Sequence, residues 1–266
     1  MPFDDNGFLG DQVLELSRGI VEKHQAYFDI CYEINRLVEK TKLEFLPNKH
    51  NRQEVISACL YIKFIEGVQA AIILVKLGLD ADAQIILRSS FETLIHLVLC
   101  TQDEDASHTF LIRDHVNRLK TLKKARKRND KDGVWADLKT FAEPEVIEEL
   151  EEEIKISGFD PDEFYRENSI KKLANKAKLN QLYDSFYTVV SDYVHTNPRA
   201  LERYVAIDSE GNIDHLIHMP RDDHAQMNLS AAAEFSLVAL SAMCKLFDVD
   251  KNSELEIMRG KVLTLD

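Results

Sequence analysis

The sequence predicts an all-α fold, a helix bundle that carries one small β-hairpin near residues 204–218. Three observations lead there. The chain holds nine Gly and six Pro in 266 residues, whereas strand-rich folds need many turns. Apolar residues recur three and four apart along most of the chain, which is the spacing of one helix face. One stretch breaks that pattern: YVAID, then SEGN, then IDHLIHM, two short β-prone runs around a turn at Ser209 to Asn212.

Taken in order, Val13, Leu16, Ile20, Tyr27, Cys31, Ile34 and Val38 form a helical stripe from Asp11 to about Leu46. It reads as one extended first helix, ended by Pro47 and Asn48. A second helix is expected from Asn51 to Leu77, with Val55, Cys59, Ile62, Ile65, Ile72 and Val75 apolar and Gly78 as its stop. Asp80 then caps a third helix reaching Thr101. That helix is apolar almost all round and is expected to be the central one. Asp103, Glu104 and Asp105 open a fourth, which stops near Asp132-Gly133. A short helical piece follows at 135–141, then a Glu-rich helix from Pro144 to Gly158 and a modest one from Asp160-Pro161 to Lys178. Asn180 to His195 is strongly periodic and ends at Asn197-Pro198, after which Pro198 starts a further turn through Tyr204. The last long helix spans about Asp223 to Phe247. A single helical domain over 1–266 is expected, with 106–168 as a charged helical insertion.

The formal charge of −13 opposes non-specific attraction to nucleic acid or anionic lipid. It is unevenly spread. Residues 113–131 hold nine Lys/Arg against two Asp, and residues 132–167 hold thirteen Asp/Glu against three Lys/Arg. Two successive helices folding back on each other would neutralise this; a basic groove for RNA or DNA is the other reading. Cys31, Cys59, Cys100 and Cys244 lie far apart in apolar stretches and read as reduced core residues. The first residues, MPFDDNGFLGDQ, have neither the basic start nor the apolar run of a secretory signal. No uncharged apolar run of 18 residues occurs. A cytoplasmic protein with no membrane partner is the expectation.

Two polar constellations interrupt apolar helices. Arg88 and Glu92, in LRSSFETL, share a face at i,i+4 spacing. Ionisable groups in such a run need partners, so they are either a structural ion pair or part of a site. Tyr187, Ser191 and His195, in FYTVVSDYVH, recur every fourth residue. Histidine side chains can act as acid or base near neutral pH, so His195 is a candidate for that role, or else a histidine closing the C-terminus of its helix. His215, His218 and His224 lie beside three Asp in DHLIHMPRDDH, but the spacing fits no zinc pattern, and no metal or cofactor is expected. Phosphate loops, nucleophile elbows, H-E-x-x-H and G-x-G-x-x-G are all absent.

The stretch GLDADAQIILRSSFETLIHL, with its Leu-Arg-Ser-x-x-Glu, and the stretch KLANKAKLNQLYDSFYTVVSDYVHTNPRALERY, with Tyr-x-x-x-Ser-x-x-x-His, together resemble the bacterial domain-of-unknown-function family five-six-seven-seven. The resemblance covers roughly residues 55–105 and 170–245 and leaves 106–168 without a counterpart. It implies a helical fold and names no activity. The helical pattern also loosely resembles HEPN-type proteins, the higher-eukaryote and prokaryote nucleotide-binding class. Many of those are metal-independent ribonucleases of toxin or phage-defence systems.

On that likeness His195 would be the base, Arg88 would face the phosphate and Glu92 would orient Arg88. Tyr187 and Ser191 would hydrogen-bond the substrate, and the basic block with Lys120, Lys123, Lys124, Arg126, Lys127 and Arg128 would hold RNA. The chain departs from the HEPN pattern in having no Arg at the usual spacing before His195. The alternative expectation is a non-catalytic helical module for a protein or ligand, in which the same five residues fix helix register. A homodimer or a protein partner docked on the long first helix is expected in either case.

Overall fold

In the computed structural model, which describes residues 3–128, 130, 132–190 and 198–265, helices build the bundle and two strands form the hairpin. The bundle centre is α3 (Arg52–Lys76), α4 (Asp80–Gln102) and α12 (Ala225–Leu246), packed on one another. The expected central helix is α4: Leu87, Phe91, Leu94, Ile95 and Leu97 are fully buried. All three are long and apolar enough, by length and composition, to cross a membrane. Here much of that apolar surface makes the core. The α3 and α4 backbones approach closely at Gly67, where a Cβ would lie 2.3 Å from Ser90 Oγ. A side chain there would displace the Ser90 hydroxyl from its bond to Ile86 O.

The first helix differs from its sequence pattern. It is two helices, α1 (Gln12–Lys23) and α2 (Gln25–Thr41), broken at His24, whose φ of −115° and ψ of 26° leave the helical region. The cause is long-range. His24 is buried and its Nε2 meets Asp222 Oδ2 at 2.7 Å, a carboxylate that also pairs with Lys23 at 2.8 Å. The inner stripe of α2, Phe28, Cys31, Ile34 and Val38, is buried in the main core. Leu16, read as part of the stripe, is exposed.

On α3 the buried face is Leu60, Tyr61, Phe64, Ile65, Val68, Ala71, Ile72 and Val75. Val55, Cys59 and Ile62 lie on the opposite, exposed side, so Cys59 is a surface thiol and not a core residue. The helix stops at Gly78 as expected, with φ +75°. A Cβ there would meet Pro220 at 2.4 Å.

Beyond α4 the chain turns into α5 (Glu104–Lys127), α6 (Val134–Thr140), α7 (Pro144–Ile156) and α8 (Phe164–Glu167). These helices share a second apolar cluster, in which Ile112, Val116 and Leu119 of α5 meet Ile147, Leu150 and Ile154 of α7. The basic helix and the acidic helix do fold against each other: Lys123 pairs with Glu151 at 2.5 Å and His115 with Glu153 at 3.2 Å. The single helix expected over 160–178 is interrupted. Asn168 leaves helical geometry and its amide donates to Phe164 O at 3.1 Å, so α9 (Ile170–Lys176) starts afresh.

α10 (Asn180–Leu182) continues without a break through a π-helical turn, Tyr183–Tyr187, to residue 190. After α11 (Pro198–Leu201), β1 (Val205–Ile207) pairs antiparallel with β2 (Ile213–Leu216), the hairpin the sequence predicts. The tail after Asp248, which gave no clear pattern, holds α13 (Asn252–Leu263), packed on α12 and α2.

Candidate functional site

Four residues of α4 spaced every fourth position are polar: Asp80, Gln84, Arg88 and Glu92. An i+4 row winds about 40° per step around a helix, so the row passes from the core to the surface. Asp80 and Gln84 are fully buried, while Arg88 and Glu92 keep 21% and 32% of their side chains exposed.

At the outer end, Tyr187 stands between Arg88 and Glu92. Arg88 Nη2 donates to the phenol oxygen at 2.7 Å, and that hydroxyl donates to Glu92 Oε1 at 2.8 Å. The direct Arg88–Glu92 contact is 3.5 Å. The guanidinium also lies over the Tyr187 ring, 4.6 Å from its centroid, and Tyr183 stacks on the same ring at 4.9 Å. Burial first, and the Glu92 carboxylate second, push the Tyr187 hydroxyl up to about 12. The phenol therefore stays protonated at neutral pH and serves as a relay between cation and carboxylate, not as a base.

The π-helical turn places this ring. Thr188 N–H bonds five residues back to Tyr183 O, and Thr188 Oγ1 bonds the same carbonyl at 3.1 Å. Such turns insert one extra residue and rotate everything before them. Thus the structure joins Arg88, Glu92 and Tyr187, three of the five residues singled out from sequence. Ser191 and His195 lie outside the described residues.

The inner end of the row was missed. Asp80 does not cap its own helix. Its carboxylate accepts the backbone N–H of His224, the N-cap of α12, at 3.0 Å, and forms an ion pair with Arg203. Asn228 Nδ2 donates to Asp80 O at 3.0 Å. Arg221 bonds the backbone oxygen of Arg203, and its own N–H bonds Gly78 O at 2.9 Å. One aspartate thus ties together the starts of α4 and α12 and the segment before the hairpin. The sequence signal that could have found it is the unbroken every-fourth-residue run from Asp80 to Glu92.

The remaining candidates are dispersed. His215 bonds Asp214 at 2.9 Å, and His218 packs edge-on against Phe8 with centroids 5.7 Å apart. No group of three His, Cys, Asp or Glu among the described residues has metal-binding geometry. Of the basic block, Lys120 sits 3.9 Å from the Tyr165 ring centroid, while Lys124 and Arg128 lie over Trp135. With Lys123 paired to Glu151, four of the six cations named for RNA are engaged within the chain.

A helical bundle threaded by one polar row, with no recognised nucleotide or metal motif in its sequence, defines a fold class and not an activity. The model of the family of unknown function DUF5677 matches residues 54–213, more than half of the chain. The chain belongs to that family. The matched stretch runs through the charged segment 106–168 and ends inside the hairpin, before α12. No curated protein and no solved structure matches it.

Proposed function

We propose that the chain is a cytoplasmic, non-catalytic helical binding module in which the Arg88–Tyr187–Glu92 network fixes the register of α4 against α10. One observation carries this reading. The cation and the carboxylate are bridged within the chain, because the phenol takes an Arg88 donor and gives its own proton to Glu92. A site built for substrate leaves its polar groups pointing at the substrate, whereas a structural network satisfies them internally. The internal neutralisation of the basic block on α5 points the same way.

A metal-independent ribonuclease of a toxin or phage-defence system is the second reading, and two observations favour it. The π-helical turn beside Arg88 is a feature enriched at functional sites. Arg88 Nε, moreover, is buried with no hydrogen-bond partner among the described residues. In that reading His195 supplies the base and Arg88 the phosphate-facing cation.

Controlled expression of wild type, Arg88→Ala and His195→Ala in bacteria, scored for growth and for integrity of total RNA, separates the two. The module reading expects intact RNA in all three cultures. Growth arrest with cut RNA in wild type, relieved in both variants while they remain folded, would replace it with the ribonuclease reading.

A further inference from the structure

Arg113 has an unusual environment. It rises from α5 into the space between the two apolar clusters and is partly buried. Its only hydrogen-bond partner among the described residues is His96 on α4, to whose Nε2 Arg113 Nη1 donates at 2.6 Å, and its guanidinium also lies over the Tyr165 ring, 5.7 Å from the centroid. Arginine is always charged, so the imidazole must accept with Nε2 and carry its proton on Nδ1. Burial, with Arg113 next and then Lys63, holds His96 down to about 4 and keeps it neutral. Arg113 thus faces a neutral base where a carboxylate would be expected, and it forms no ion pair among the described residues. A half-buried cation without a counter-charge is costly.

This guanidinium borders a cavity of about 380 Å³, within the range of small-molecule sites. Leu99, Phe110, Phe159, Phe164 and Leu173 make the apolar part of its wall, with Gln102, Thr109 and Asn168 as uncharged polar groups among them. Lys176, exposed and in no ion pair among the described residues, stands on the rim. Asp103 and Asp105 stand there too.

We infer that this cavity binds a small organic monocarboxylate with an apolar body, its head group on Arg113 and Lys176 and its body among the aromatic walls. A monoanion fits better than a phosphate ester, because the two rim aspartates would repel a dianion and because two cations suffice for one charge. The volume corresponds to about a dozen water-sized groups, the scale of a medium alkyl chain or an aryl-alkyl body. This deepens the binding-module reading and rests on it in naming what is bound. The RNA assay above reports on that reading separately, since a ribonuclease with this cavity would bind the same probes and still cut RNA.

The test is calorimetric titration and thermal shift of the full chain with octanoate, 4-phenylbutyrate and indole-3-acetate at millimolar concentration. Octanol supplies the body without the charge, and acetate the charge without the body. At least one of the three carboxylates is expected to bind, with octanol and acetate each about tenfold or more weaker. Arg113→Gln is expected to weaken binding about ten- to a hundredfold, the range of a lost hydrogen bond to a charged group. Lys176→Gln, an exposed change that leaves folding intact, should weaken it several-fold and decides the matter if Arg113→Gln does not fold. Equal binding of octanoate and octanol, no binding of any of the three carboxylates, or full binding by folded Arg113→Gln and Lys176→Gln would each overturn the inference.

Discussion

Arg203 and Arg113 both carry charge into the interior, and they are neutralised in opposite ways. Arg203 meets a fully buried carboxylate, Asp80, which itself takes a backbone N–H from α12. Arg113 meets the neutral ring of His96 and the face of Tyr165, and no carboxylate among the described residues, beside a cavity. The first arrangement has its counter-charge within the chain and joins distant segments, although Arg203 Nε and Nη1 are buried without a hydrogen-bond partner among the described residues. The second leaves a partly buried charge with no counter-charge among the described residues. Arg88 lies between them in kind: its carboxylate is present but reached chiefly through the Tyr187 phenol.

The largest break in that contrast is Asp80→Ala. Removing one partner of a buried ion pair strands the other, at about 3–5 kcal/mol, and here it also uncaps α12. Chemical denaturation should show that loss, with Asp80→Asn recovering part of it through the retained acceptor. A loss below about 1 kcal/mol would mean that Arg203 finds solvent or another acceptor, and the contrast with Arg113 would collapse.

That residue also shows where sequence reading stops. Asp80 follows Gly78-Leu79 and reads as a local cap, yet its partners Arg203 and His224 lie far along the chain and carry no local signature. His24 is the same case. Periodicity runs straight through it, and the break appears only because Asp222 reaches it. By contrast, Arg88, Glu92 and Tyr187 were legible because a charge or phenol on an apolar helix demands a partner, and the three found one another. The hairpin was legible through its turn residues. The exposed side of α3 was not, since Val55, Cys59 and Ile62 are as apolar as the buried side and only packing distinguishes them.

The next effect is pH dependence at His96. Its folded value, about 4, lies below the ordinary 6.5, so between these values the unfolded chain binds the proton that the folded chain refuses. Its contribution therefore rises with pH through that window and is lost as pH falls through it, by on the order of 3 kcal/mol. Carboxylates titrate nearby in pH, so the measurement is the difference between wild type and His96→Gln, which keeps an acceptor for Arg113. Parallel stability curves for the two proteins from pH 4 to 7 would show that His96 is not held neutral. A carboxylate bound at Arg113 should raise the His96 value, visible in its ring NMR signals.

Tyr187→Phe tests the intermediate case. The ring, its stacking on Tyr183 and its place under Arg88 are kept, and only the relay hydroxyl is lost. Arg88 and Glu92 stay partly exposed and, already 3.5 Å apart, can close on each other or on water. The expected loss is about 1 kcal/mol, well below that at Asp80.

The smallest effect belongs to the surface, where charge is plentiful and carries little weight. Lys123 and Glu151 link the basic and acidic helices at 2.5 Å, but both side chains are partly in water. Such pairs contribute about 0.2–1 kcal/mol and are screened by salt. A double-mutant cycle of Lys123→Ala and Glu151→Ala should give a coupling in that range that fades at high salt. Their mutual neutralisation matters less for stability than for what it removes from the surface. Freed of Glu151, Lys123 rejoins a basic face, so Glu151→Ala should strengthen any weak non-specific RNA binding while leaving the denaturation midpoint nearly unchanged. If RNA binding is strong in wild type and does not respond, the cations of α5 are reaching RNA despite α7, and the internally balanced view of this helix pair fails.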